Sequence, residues 1–351
     1  MNNAAAIPVR ISVAMATYNG ERFLPEQLNS LALQKHLPYE LVACDDGSTD
    51  DTVSILQEFS RRAPFPVHIH QNKVNLGYSD NFLKAARACD GEWVAFCDQD
   101  DVWLENKLQM AAQATQKHTN LNLILQNALI TDSRLNSRGR LFPNKLRRGT
   151  YQANRQYGFW VWPGFLKTMR ADNFSLFQST DRPRSYFPGD SVQTHDKWTC
   201  MVANAVGGIA VQDQPVALYR RHDEALTGSY SIQSPRARLE KAKLVGSSHY
   251  AFLSSVALEY SCLLEGYRFT AKDRYQESTI SQSALGFQKI AKIQDSRSRL
   301  YRESSYLKRL RYFGEIARHG GYIGKAFHSM GLKSMAKDLA WIACGSRCLS
   351  R

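Results

Sequence analysis

The first 130 residues alternate between two patterns. Short, nearly continuous apolar runs suit strands buried on both faces, and between them apolar residues recur every three or four positions, as on one helix face. Ile11–Ala16 reads as the first strand, and a helix is expected from about Glu21, with Pro25 tolerated in its first turn and Leu24, Leu28 and Leu31 on one face. Tyr39–Ala43 is the second strand, ending at Cys44; Ser48 or Asp50 can cap a helix carrying Val53, Leu56 and Phe59. Val67–His70 predicts a third strand, Asn75–Ser79 a turn, Phe82, Leu83 and Ala86 a helical face, and Trp93–Cys97 another strand. Leu104–Lys117 is helical by composition and Leu121–Ile130 is a further buried strand. The alternation is that of a doubly wound α/β sheet with helices on its faces.

Past Asp132 the pattern loosens into a basic stretch to Arg155, expected to be an exposed loop. Ser191–Ala205 recovers helical spacing, followed by a Gly207-Gly208 turn and a strand-like run from Ile209 to Tyr219. From Ser234 onward strand signals are few and the chain is helical and rich in Lys and Arg, which places a boundary near Gly228, between a catalytic region 1–228 and a helical, basic region 229–351. The latter holds 21 Lys and Arg against 9 Asp and Glu, so nearly all of the formal charge of +13 lies there. No uncharged apolar run approaches the roughly 18 residues that cross a bilayer. The N-terminus has neither a basic leader nor a small-residue cleavage site, and the seven cysteines show no pairing pattern. A cytoplasmic protein is expected, with no nucleic-acid-binding motif.

Two acidic clusters change the picture from fold to chemistry. Cys44-Asp45-Asp46-Gly47-Ser48-Thr49-Asp50-Asp51 and Asp98-Gln99-Asp100-Asp101 each follow an apolar strand directly. In open α/β sheets ligands bind beyond the carboxyl ends of the strands, and two carboxylate clusters meeting there repel unless a cation lies between them. Asp98 and Asp100, alternate residues after a strand, can hold Mg²⁺ or Mn²⁺ on a diphosphate; their hard oxygen donors suit those ions. An acidic turn in which Asp101 caps the next helix is the plainer account of such a motif taken alone. Asp98-Gln99-Asp100-Asp101-Val102 also fits the Asp-x-Asp-x-Val pattern of haloacid-dehalogenase-type phosphatases, with Asp98 as nucleophile, although some ninety residues precede it.

Four ordered motifs decide between these readings: Ala16-Thr17-Tyr18-Asn19-Gly20; Asp45-Asp46-Gly47-Ser48-Thr49-Asp50; Asn75-Leu76-Gly77 with Asn81-Phe82; and Cys97-Asp98-Gln99-Asp100-Asp101-Val102-Trp103. Together they resemble glycosyltransferase family 2, inverting enzymes of the GT-A nucleotide-sugar-binding fold, and within it the bacterial rhamnosyltransferase-like branch. The resemblance implies a Rossmann-like mixed sheet flanked by helices, with residues 1–130 binding donor and 131–228 facing acceptor. It implies that Thr17, Tyr18 and Asn19 frame the nucleobase and ribose, that Asp45 accepts a hydrogen bond from the base, and that Asp98 contacts ribose or metal while Asp100 ligates metal. Asp46 stands beside them as a donor-site candidate, although turn formation and capping are the preferred accounts of Asp46, Asp50 and Asp51.

In His195-Asp196-Lys197-Trp198 the resemblance implies Asp196 as general base, with His195 orienting it or bonding the loop, and Trp198 under the acceptor. Arg221 and His222, in Tyr219-Arg220-Arg221-His222, would approach the diphosphate. The wording departs from the family at Trp160-Val161-Trp162-Pro163-Gly164 and at Asp223–Gly228, and the Gln-x-x-Arg-Trp motif of processive synthases is absent, which points to single-sugar addition. The implied donor is dTDP-L-rhamnose and the implied acceptor a surface polysaccharide or a glycan on a polyprenyl diphosphate lipid; a catalytically silent nucleotide-sugar-binding protein is the alternative. Near the C-terminus, Leu332, Met335, Ala336, Leu339, Ile342 and Ala343 fall at helical spacing among Lys333 and Lys337. Such a helix can lie peripherally on an anionic membrane or pack on the catalytic region.

Overall fold

Ile11–Thr17 forms β1, buried throughout except at Ala16, and it sits between two parallel neighbours, β2 (Glu40–Asp45) and β4 (Trp93–Cys97). In this computed structural model residues 8–142, 149–186, 191–222, 246–323 and 327–344 are described. β3 (Val67–Gln71) extends the parallel set beyond β2. The linking helices α1 (Leu24–Ala32), α2 (Thr52–Arg62) and α3 (Tyr78–Arg87) bury one face each. Continuous apolar runs become these strands because helices cover both sides of the sheet.

Beyond β4 the sheet is mixed, in the order β3-β2-β1-β4-β9-β6-β10-β5. β5 (Val102–Trp103) pairs antiparallel with the end of β10 (Gly208–Arg220), and α4 (Lys107–Lys117) leads into β6 (Leu121–Thr131), which runs parallel to β10. β9 (Lys167–Arg170) is antiparallel to both β4 and β6. The sequence pattern did not show β9, since three of its four residues are polar or charged. The basic stretch expected as loop contributes β7 (Ser137–Arg140) to β6 and β8 (Gly149–Tyr151) to β10; exposed polar residues are recruited by a neighbour's unpaired edge, not by periodicity. The expected helix from Leu104 begins only at Lys107, because Leu104 donates its N–H to Val216 O. Gly207 comes so close to Asn122 that a Cβ there would lie 1.9 Å from its Nδ2, and β10 starts at the next residue.

After the short helix α5 (Asp172–Leu176) and the nearly wholly buried α6 (His195–Val206), the C-terminal region supplies four helices: α7 (Ser247–Tyr267), α8 (Arg274–Arg302), α9 (Tyr306–Arg318) and α10 (Leu332–Cys344). Val256, Tyr260, Ile280 and Phe287 of α7 and α8 share one buried cluster with the sheet and α6. The boundary expected near Gly228 lies outside the described residues. In α10 the anticipated apolar face is buried only in part: Ile342 is buried and Met335 packs partly against the same cluster. Asp338 is fully buried, accepting from Arg297 Nη2 at 2.7 Å, Tyr301 OH at 2.9 Å and Tyr322 OH at 2.8 Å, while Leu332 and Leu339 are 63% and 43% exposed. A carboxylate satisfied by three donors can be buried, and it turns the leucines outward.

Candidate active site

In the register of the parallel strands Thr17 lies beside Asp45, and Met15 beside Cys97. The loops after β1, β2 and β4 therefore leave the sheet along one edge, where the strand order reverses around β1. Asp45 is buried. Its carboxylate accepts from Thr17 Oγ1 at 3.0 Å, Gly47 N at 3.2 Å, Ser48 N at 2.9 Å and the Ser48 hydroxyl, which occupies all four of its acceptor positions. It shapes the loop from within, and a bond to a nucleobase N–H requires one of these to be released. Asp46 accepts from Asn72 Nδ2 at 2.7 Å and from the N–H groups of Leu76 and Gly77 at 2.8 Å, so it braces the loop before α3. Asp50 accepts from Glu21 N and Thr52 N.

Tyr18 presents an exposed ring, while its backbone is clamped on both sides by Gln99: Tyr18 N donates to Oε1 at 2.9 Å, and Nε2 donates to Tyr18 O at 3.0 Å. The residue between the two motif acids thus points at the first loop. Asn19 has a φ of 46° and its Oδ1 accepts from Thr49 N at 2.9 Å, a left-handed conformation that asparagine tolerates.

Ligand atoms of Asp98, Asp100 and Asp101 lie within 4.8 Å of one another. Asp101 caps no helix: it is wholly buried, its Oδ1 accepting from Arg220 N at 3.0 Å and its Oδ2 left without a partner. Burial first, then the charge of Asp100, pushes the Asp98 and Asp101 carboxyls well above the usual range, and Asp196 adds to the effect on Asp98. Three converging carboxylates with an orphaned oxygen are what a hard divalent cation would relieve.

Asp196 stands in the first turn of α6. Its Oδ1 is 3.1 Å from His195 Nε2 and 3.3 Å from the ammonium of the fully buried Lys167, which also donates to Asp196 O at 2.7 Å and Thr199 Oγ1 at 2.8 Å. Burial works to raise the Asp196 carboxyl, but the charges of His195 and Lys167 outweigh it and hold the group well below the usual carboxylate range. Of the two roles open to it, His195 thus has its ring on Asp196, while its backbone N–H bonds Ser79 Oγ at 2.7 Å. The ring stacks on Phe82 at 4.4 Å. Trp198 is buried with its edge toward Phe177.

Residues 12–180 match the sequence model of Glycosyl transferase family 2. That segment is just under half of the chain, and it is similar to glycosyltransferase family 2. It is 38% identical over 102 residues to the dTDP-rhamnosyl transferase RfbG of Shigella flexneri, which covers 28% of this chain and 35% of that protein. It is 29% identical over 126 residues to the Escherichia coli UDP-Glc:alpha-D-GlcNAc-diphosphoundecaprenol beta-1,3-glucosyltransferase WfgD, covering 34% and 49%. Among solved structures, S. aureus TarS 1-349 in complex with UDP-GlcNAc superposes with a TM-score of 0.52 at 20% identity, over 90% of this chain and 93% of that one, a likeness of fold. The chain spans 33% to 59% of the length of the first curated relatives it matches. The family match leaves the phosphatase alternative without support.

Within this fold, four residues to which the sequence analysis gave no role complete the site. Arg220 is buried and ties the metal motif to the rest of the site through Asp100 O at 2.8 Å, Ser133 O at 2.7 Å and an ion pair to Glu26. Lys167 was legible only as a lone charge after the apolar run Gly164-Phe165-Leu166. Gly164 lies against the base: a Cβ there would be 2.6 Å from His195 Nε2 and 2.7 Å from Asp196 Oδ1. Lys107, buried below the motif, donates to Phe165 O at 2.8 Å, and its desolvation lowers its pKa to about 7. Of the two residues expected near the diphosphate, His222 places Nε2 3.0 Å from Asp100 Oδ2, whereas Arg221 turns back, its Nη1 donating to Tyr219 OH at 2.5 Å.

Proposed function

We propose that the chain is an inverting glycosyltransferase that moves one sugar, L-rhamnose from dTDP-L-rhamnose, onto a cell-surface glycan carried on a polyprenyl diphosphate lipid. The observation that supports the reading is geometric: the ligand atoms of Asp98, Asp100 and Asp101 converge within 4.8 Å at the sheet edge, and Asp196, held by His195 and Lys167, is near enough for its charge to oppose the ionisation of Asp98. The motif wording and the RfbG match support the donor, and the diphosphoundecaprenol-linked substrate of WfgD supports the lipid-linked acceptor.

Mg²⁺ or Mn²⁺ would be held by Asp98 and Asp100, with Asp101 adjoining, and when bound would neutralise the diphosphate and stabilise it as a leaving group. The exposed face of Tyr18 offers packing for the base, and Thr17, Asn19, Asp45 and Asp46 hold that loop in shape. Asp196 accepts the proton of the acceptor hydroxyl as its oxygen bonds the anomeric carbon and the bond to the diphosphate breaks on the opposite face, which inverts the configuration. His195 and Lys167 keep Asp196 ionised, in the form that can accept a proton. His222 reaches the metal edge through Asp100, and Trp198 supports the acceptor side from below.

No helix among the described residues is long and apolar enough to cross a membrane. Leu332 and Leu339, exposed beside the exposed Lys333 on α10, support a peripheral contact of the basic C-terminal region with an anionic membrane at the cytoplasmic face.

The test is thermal unfolding with dTDP, UDP and GDP, each with Mn²⁺ and with EDTA, on the wild type and on Asp100→Ala. Ligand at a hundredfold excess over its dissociation constant stabilises the native state by about 2.7 kcal/mol. A Mn²⁺-dependent shift with dTDP that Asp100→Ala abolishes is the expected result. A shift with UDP or GDP alone would replace the donor, and no shift with any nucleotide would overturn the reading in favour of a silent scaffold.

A further inference from the structure

On the outer side of α3 lies a cavity of about 710 Å³, walled by Leu76, Asp80, Lys84, Arg87, Arg182 and Val192 among others. Asp80, Lys84 and Arg87 stand four and three residues apart and so share one helix face. Arg182, also in the wall, has four of its five N–H donors engaged: it pairs with Asp80, and donates to Ser79 Oγ at 3.0 Å, Gln193 O at 2.9 Å and Ser179 O at 2.8 Å. The one acid in the wall is thereby neutralised.

Lys84 and Arg87 are different. Both are exposed, and among the described residues neither has a carboxylate within 4.0 Å. Lys84 donates to Asn72 Oδ1 at 2.5 Å, which leaves two ammonium protons, and Arg87 uses only Nη2, on Gln178 Oε1 at 2.9 Å and on the Phe174 and Phe177 carbonyls at 3.4 Å. The wall therefore carries two uncompensated cations with donors to spare, beside the exposed apolar side chains of Leu76 and Val192. Ser79 Oγ, which receives Arg182, also receives the N–H of His195 at 2.7 Å. The cavity wall is thus linked through Ser79, by two hydrogen bonds, to the residue next to Asp196.

We propose that this cavity is the subsite for the acceptor's phosphate linkage: Lys84 and Arg87 bind the diphosphate of a lipid-carried glycan through charge-assisted hydrogen bonds, and Leu76 and Val192 pack on the first carbons of the lipid. The proposal rests on the glycosyl-transfer reading above. It assigns the acceptor's anionic group to the face of α3 turned away from the sheet, apart from the Asp98–Asp101 edge.

Calorimetric titration tests it, with geranyl diphosphate and inorganic pyrophosphate as probes at constant ionic strength. EDTA is present so that no cation on the acidic cluster attracts a second diphosphate. Wild type should bind geranyl diphosphate saturably. Lys84→Gln should weaken that binding, and Lys84→Gln/Arg87→Gln should weaken it by about tenfold or more; the single variant keeps the test valid if loss of the Arg87 bonds prevents folding. Pyrophosphate should bind more weakly than the prenyl compound. Unchanged affinity in both variants, or no saturable binding by wild type below ~1 mM, overturns the subsite. Equal affinity for the two probes overturns the lipid carrier in favour of free anion. Binding of dTDP with Mn²⁺ should be the same in wild type and variants; its absence from wild type would refute the transferase reading instead.

Discussion

Gly164→Ala isolates the placement of the proposed base. The added methyl would stand 2.6 Å from His195 Nε2 and 2.7 Å from Asp196 Oδ1. Ordinary contact begins near 3.5 Å, so the pair must give way by about 0.8 to 0.9 Å. His195 has little room, being 3% exposed, stacked on Phe82 and flanked by Tyr78 and Phe96. The His195 ring must therefore tilt against its aromatic neighbours while Asp196, whose side chain is 30% exposed, is displaced outward, which disturbs the pairing of Asp196 with His195 and Lys167. A shift of about 1 Å at a reacting group costs up to about 10²-fold in rate, within the 10²–10⁴-fold a general base supplies. Overpacking should cost about 1–3 kcal/mol of stability, too little to unfold a protein of this size. The assay is release of nucleoside diphosphate from the sugar donor in the presence of acceptor, with dTDP-induced thermal stabilisation as the control for donor binding. Turnover at the wild-type rate, with the fold intact, would refute the placement of Asp196 as the base.

Asp196→Asn should lower kcat by about 10²–10⁴-fold and leave the dTDP-induced thermal shift unchanged; a lost shift would move Asp196 to the donor site. Lys167→Met removes a charge that holds the Asp196 carboxyl down, so the acid limb of the pH–rate profile should move toward neutral pH, and an unmoved limb would rule out that coupling. The same depressed carboxyl contributes stability that is present above its unfolded value of about 4 and is lost as pH falls through the folded value; acid titration followed by circular dichroism should show this loss shrink in Lys167→Met. Arg220→Ala strands the carbonyls of Asp100 and Ser133 and should cost about 2–3 kcal/mol in urea denaturation, with Mn²⁺-dependent nucleotide binding weakened as well. A variant as stable as wild type would show that Arg220 is not the brace described.

The parallel half of the sheet was legible because its constraint is local. Strands covered on both faces must be apolar at every position, so β1, β2 and β4 announce themselves, and the acids that follow them inherit a place at the sheet edge. β9 was not legible: Lys167, Thr168 and Arg170 carry no strand pattern, and they form one because β4 and β6 both present edges to them. For α10 the spacing of Leu332, Met335, Leu339 and Ile342 indicated one face, of which Ile342 is buried, but the burial of Asp338 beside it was not legible, since it depends on three donors from α8 and the segment after α9 that converge on that carboxylate.

The sequence by itself determined the ordered motifs and the acids at the strand ends, because each is a residue type in a local context, and the family resemblance those motifs carry implied Asp196 as the base to test. The tertiary structure alone decided that Asp101 joins the acidic cluster rather than capping a helix, that Asp45 and Asp46 spend their acceptors on the loops around them, and that Lys167 and Gly164 surround the base. Apart from the local bonds of Asp45 to Gly47 and Ser48, those outcomes depend on contacts between residues 26 to 119 positions apart. Burial, charge and hydrogen-bond satisfaction act across such separations, and no spacing along the chain encodes them.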